Sequence, residues 1–144
     1  MISLRDVIGK PIIHHETAEQ VGQVRSVAID PSTRSAVAVV TAEGRSSRVI
    51  EWTDVHSIGP DAVIVDRVRD LRPDEDRLAS GAQDPIKKRV LSDRGNEHGS
   101  VTDVIVDEAG LVQMIDIDGV SVDGTRLRGL GSYALVIEAD ATEA

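Results

Sequence analysis

The chain has 144 residues, 40% of them hydrophobic, 28% charged and 1% aromatic, with no cysteine and a formal net charge of −9. That length and balance fit one compact domain or two very small ones, and exclude a large multidomain enzyme, a disordered chain, disulfide bonds and thiolate chemistry. Residues 1–72 carry a net −1 and residues 73–144 a net −8, and an acidic second half disfavours nucleic acid or an anionic lipid surface as the main partner.

At the N-terminus, Ser3 is placed to cap one short helical turn, with Asp6 at the third helical position and Gly9 near the stop. Short segments rich in β-branched residues follow, and they predict strands at 11–14, 21–30, 34–42, 46–51 and 61–66. The stretch LRPDEDRLASGAQDP, residues 71–85, reads as an acidic linker. Beyond it, strands are predicted at 88–92, 99–107, 111–118, 124–128 and 133–139. Turn chemistry falls at DPSTRS (30–35), AEGR (42–45), DEAG (107–110) and DGVSVDG (118–124). The longest apolar run, Ala36 to Val40, is far below the roughly 20 residues of a membrane span, so a cytoplasmic protein without membrane insertion is expected.

The two halves resemble each other. VGQVRSVAID at 21–30 lies over HGSVTDVIVD at 98–107 at a shift of 77, which also brings Ile13 over Val90; GPDAVIVD at 59–66 lies over GSYALVIE at 131–138 at a shift of 72. The second copy is therefore five residues shorter between these anchors, which belongs in a hairpin or loop. An internal duplication of small antiparallel barrels follows, with residues 1–70 as the first repeat, 71–85 as linker, 86–140 as the second repeat and 141–144 as a tail. Each copy is marginal alone, so the two are expected to pack together or share strands.

The segments LRDVIGKPI at 4–12, VGQVRSVAID and IEWTDVHSIGPDAVIVD at 50–66 resemble the PRC-barrel family, whose modules occur in the photosynthetic reaction-centre H subunit and in a bacterial ribosome-maturation factor. Glu51 stands where the family pattern has Pro, and Ser26 where it has Asp, although Asp103 supplies that Asp in the second copy. The resemblance implies two tandem PRC-type barrels in an all-β chain that acts as a non-catalytic docking platform; binding of other proteins through the barrel loops or an edge strand, by a monomer or a homodimer, is the expected mode. One branch of the family implies an RNA-processing or ribosome-assembly role instead.

Candidate sites are few. His14-His15-Glu16 offers metal-ligand types, but adjacent strand residues face opposite ways, so the pair reads as a surface turn. Asp107, Glu108, Asp116, Asp118 and Asp123 offer hard oxygen ligands without a calcium-loop spacing, which leaves a divalent-cation or pH sensor as a further alternative. Arg45, Arg48, Arg67 and Arg69 are the basic candidates for contact with a partner, or else for pairing with neighbouring acids; Tyr133 is a candidate interface anchor. Trp52 reads as a plug of the first barrel. No G-x-S-x-G, phosphate-binding loop or H-E-x-x-H occurs, so no catalytic residue, metal or cofactor is assigned and no enzyme is expected.

Overall fold

Two sheets of the same design dominate the computed structural model, which describes residues 1–43, 46–67 and 83–143. The chain opens with β1 (Ile2–Ser3) and the single-turn helix α1 (Leu4–Val7), capped by Ser3 Oγ accepting from Asp6 N–H. The first sheet holds β2 (Pro11–His14), β3 (Gln20–Asp30), β4 (Ser35–Glu43), β5 (Ser46–Glu51), β6 (Val55–Ile58) and β7 (Val63–Val65), in the order β5-β4-β3-β2-β7-β6. The second holds β8 (Arg89–Ser92), β9 (Glu97–Val106), β10 (Val112–Ile117), β11 (Val120–Asp123), β12 (Leu127–Leu130) and β13 (Leu135–Ile137), in the order β11-β10-β9-β8-β13-β12.

Three expectations need correction. The sheets are not closed barrels among the described residues: short 3-10 turns at Trp52–Asp54 and Gly124–Arg126 lead away from β5 and β11, and no ladder joins β5 to β6 or β11 to β12. Nor are they purely antiparallel, since β2 runs parallel to β7 and β8 parallel to β13. The strand expected at 124–128 is displaced: β11 begins at Val120, inside the stretch read as a turn. Asp118 and Gly119 alone make that turn, at φ of 46° and 91°, the two positive values that a two-residue hairpin of primed type demands. Most of the linker expected at 71–85 lies outside the described residues.

The ladders match strand for strand. Gly22 pairs with Ile12 and Gly99 with Val90; Val27 pairs with Val39 and Val104 with Ile115; Ile50 pairs with Val39 and Val122 with Ile115. Bulges recur at the same places, leaving Arg25 and Thr102, Val37 and Gln113, and His56 and Arg128 out of register. Val90 therefore takes the place of Ile12, one residue from the sequence alignment. The five-residue shortening divides between the turn after Asp107 and, chiefly, the tight Asp118-Gly119 hairpin.

The halves are joined through these equivalences. Ala36 N–H donates to Gly110 O at 2.7 Å and Val112 N–H to Arg34 O at 2.8 Å, around an isolated bridge between Ser35 and Leu111. β1 pairs with β9 of the second sheet at Ile2 and Val106, while Gln83 bridges Ile29 of the first. One continuous core of Val, Ile, Leu and Ala runs through both sheets, which are thus packed together and share a strand as expected. Asp103, 6% exposed, ties α1 down by accepting from Ser3 Oγ, Arg5 N–H (3.0 Å) and Val104 N–H (2.8 Å).

Removing that acceptor leaves half-buried donors unsatisfied, so Asp103→Ala is expected to lower folding stability by about 1–3 kcal/mol, measured as the shift of the urea midpoint. Gly110 has φ +93°, and a Cβ there would lie 3.0 Å from both Ala36 O and Trp52 Nε1. Gly110→Ala is expected to destabilise the fold in the same assay and to loosen the contact between the two sheets.

Candidate functional site

Among the described residues, the partner-binding candidates Arg48, Arg67 and Tyr133 lie on separate elements. Arg45 and Arg69 lie outside the described residues. Arg48 sits on β5 and Arg67 just beyond β7, with β4, β3 and β2 between them in the sheet order. Tyr133, 68% exposed, is held by Arg89, whose Nη1 donates to the phenol oxygen at 2.7 Å and whose guanidinium carbon lies over the ring, 5.0 Å from its centroid.

The acids of the second sheet accept hydrogen bonds from neighbouring turns and strands. Asp107 accepts from Leu111 N–H, Asp116 from Ser121 Oγ, and Asp118 from Ser100 N–H. Asp123 accepts from Thr125 N–H and Oγ1, which hold its carboxyl below the usual range. Trp52, read as a plug of the first barrel, is half-buried and packs against the core shared by both sheets. Its Nε1 donates to Glu108 O at 3.2 Å across the junction, above Gly110, where it borders a cleft with Met1, Val55 and His56.

Beside that cleft, three side chains converge that the linear sequence keeps apart. The parallel pairing of β2 and β7 sets His14 next to Val65, so the following residues, His15 and Asp66, emerge side by side; His15 N–H donates to Val65 O at 2.9 Å. His56 is the bulged residue of β6, and a bulge re-aims its side chain out of the regular alternation. His15 Nδ1 lies 3.5 Å and His56 Nδ1 3.3 Å from Asp66 Oδ1, and the two imidazoles stack at 4.1 Å between centroids. Among the described residues this is the one group of three whose ligand-type atoms gather, all within 4.8 Å of one another. His14 turns away, its Nδ1 accepting from Glu16 N–H, as alternation predicts. The available signal was the register of β2 on β7, which residue spacing alone does not reveal. At the equivalent place in the second sheet, Arg128 pairs with Glu138, and Asp93 accepts from Ala139 N–H.

A second polar cluster closes the C-terminal end. Glu143 accepts from buried Ser92 Oγ and from Asn96 Nδ2 (2.8 Å), and its Oε1 lies 2.7 Å from His98 Nε2. The Ser92 and Asn96 hydrogen bonds, in that order, pull its carboxyl down to about 2 from 4.5. A depressed acid stabilises the folded state above its ordinary range, and that contribution disappears as pH falls from about 4.5 toward about 2. Glu143→Gln is therefore expected to reduce stability at pH 7 and to flatten the loss of urea midpoint between those pH values.

A family model described as PRC-barrel domain matches residues 1–72, which span the whole first sheet. No curated protein matches the chain.

Proposed function

The chain belongs to the PRC-barrel family, and from that premise we propose that it is a non-catalytic docking protein of the cytoplasm, built from two modules that arose by duplication. Equal strand order and recurrent bulges support the duplication. Docking occurs along a sheet edge, where an extended segment of another protein adds a strand.

The observation that carries this reading is the outer edge of β11, which pairs with β10 alone among the described residues and leaves Val120 64% exposed. An edge with main-chain groups facing out is a template for strand addition, and flanking side chains select the sequence. Around it stand Met114, 40% exposed, and the carboxylates of Asp116, Asp118 and Asp123. That mixture favours a segment with basic residues alternating with apolar ones. Among the described residues no helix is long and apolar enough to cross a membrane. A role on RNA needs a basic stripe, and Arg48 and Arg67, the two candidate arginines among the described residues, stand three strands apart in the sheet order, which favours the protein partner.

The test is capture of partners by the tagged chain from lysate of its native host, with and without RNase, for the wild type and for Val120→Lys. A discrete protein that survives RNase and is lost with Val120→Lys, at unchanged thermal midpoint, is the expected result. Enrichment that collapses with RNase, or that is indifferent to the variant, overturns the reading.

A further inference from the structure

We propose that His15, His56 and Asp66 form a binding site for a borderline divalent transition ion such as Zn²⁺ or Ni²⁺. The argument starts from donor chemistry. Two imidazole nitrogens and one carboxylate oxygen suit these ions, whereas calcium and magnesium prefer all-oxygen shells.

Geometry agrees with that chemistry. Ligands bound tetrahedrally at 2.0–2.1 Å lie about 3.3–3.4 Å from one another. The His15 Nδ1 to Asp66 Oδ1 and His56 Nδ1 to Asp66 Oδ1 separations are 3.5 and 3.3 Å. The main chain that carries Asp66 is anchored, because Asp66 N–H donates to Asp54 O at 2.8 Å. The rings are the adjustable part. Their planes differ by 18°, an ion lies in the plane of each imidazole it binds, and both side chains are about half exposed, so they swing apart as the ion enters. Three protein ligands at an open surface leave at least one coordination position for water or an outside group.

The second sheet supplies an independent comparison. Its equivalent bulge residue is Arg128, whose permanent cation neutralises Glu138 in the place where Asp66 faces two imidazoles. The fold therefore supports a cation against a carboxylate at this corner, and in the first sheet nothing in the triad is a fixed one. A bound ion takes the position that the guanidinium takes in the second sheet. It also ties together the turn after β2, the bulge of β6 and the residue beyond β7.

The experiment is calorimetric titration of the full chain with Zn²⁺, and separately with Mg²⁺, alongside the thermal midpoint. One Zn²⁺ per chain and a raised midpoint are expected, with no response to Mg²⁺ at the same concentration. Asp66→Asn and His15→Ala are expected to weaken binding at least tenfold. His56→Arg copies the second sheet's ion pair, so it is expected to stay folded with its Zn²⁺ response abolished. His98→Ala, at the Glu143 cluster, is expected to retain the response. No heat and no midpoint shift up to about 100 μM Zn²⁺, or a response that survives in His56→Arg, overturns the proposal.

Discussion

Two backbone hydrogen bonds exchanged between equivalent turns, Ala36 to Gly110 and Val112 to Arg34, are the constraint on which the molecule depends. They bring main chain to main chain, so the residues at the crossing must be small or must have backbone that approaches closely. Gly110 and Ala36 meet that demand directly. Each sheet alone comprises roughly half the chain, a size at which a core buries too small a fraction of its surface to stand comfortably by itself. The crossing holds the two apolar faces together, and the exchanged segments, β1 on β9 and Gln83 on Ile29, close over the joint.

With no phenylalanine and a single tryptophan, the core is filled by branched aliphatic side chains, which suit pleated surfaces and tolerate few alternative packings. The equivalent positions divide volume unequally. Trp52 with Ala36 in the first half corresponds to Gly124 with Val112 in the second, where a Cβ on Gly124 would lie 2.1 Å from Val112 O. Similar backbones thus carry different side-chain solutions, at the junction cleft and at the corner of His15, His56 and Asp66 among other places. Architecture accounts for what the halves share; whatever chemistry distinguishes them must come from these departures.

Much of this fold is legible in the residues. Pro11–His14 and Ser46–Glu51 fall where β-branched content and turn punctuation put them, and Ser3 caps the one helical turn. Val120 and Val122 alternate as a strand does, yet the surrounding Asp and Gly made the whole of 118–124 look like a turn; only Asp118-Gly119 has the backbone of one. Open sheets, too, lay beyond local reading, because whether β5 meets β6 depends on how a second sheet packs. The candidate corner was least legible. His15 and His56 come together through a parallel register and a bulge, two non-local features that leave no mark in residue spacing.

The position of Trp52 has a spectroscopic consequence. It is the chain's single indole, it lies across Gly110 of the opposite half, and its N–H is hydrogen-bonded to Glu108 O. Its emission therefore reports on the seam between the halves. Separation of the sheets would hydrate the indole and shift its fluorescence to the red while far-ultraviolet dichroism kept the strand signal. The protein carries, without labelling, an optical probe that distinguishes undocking from unfolding.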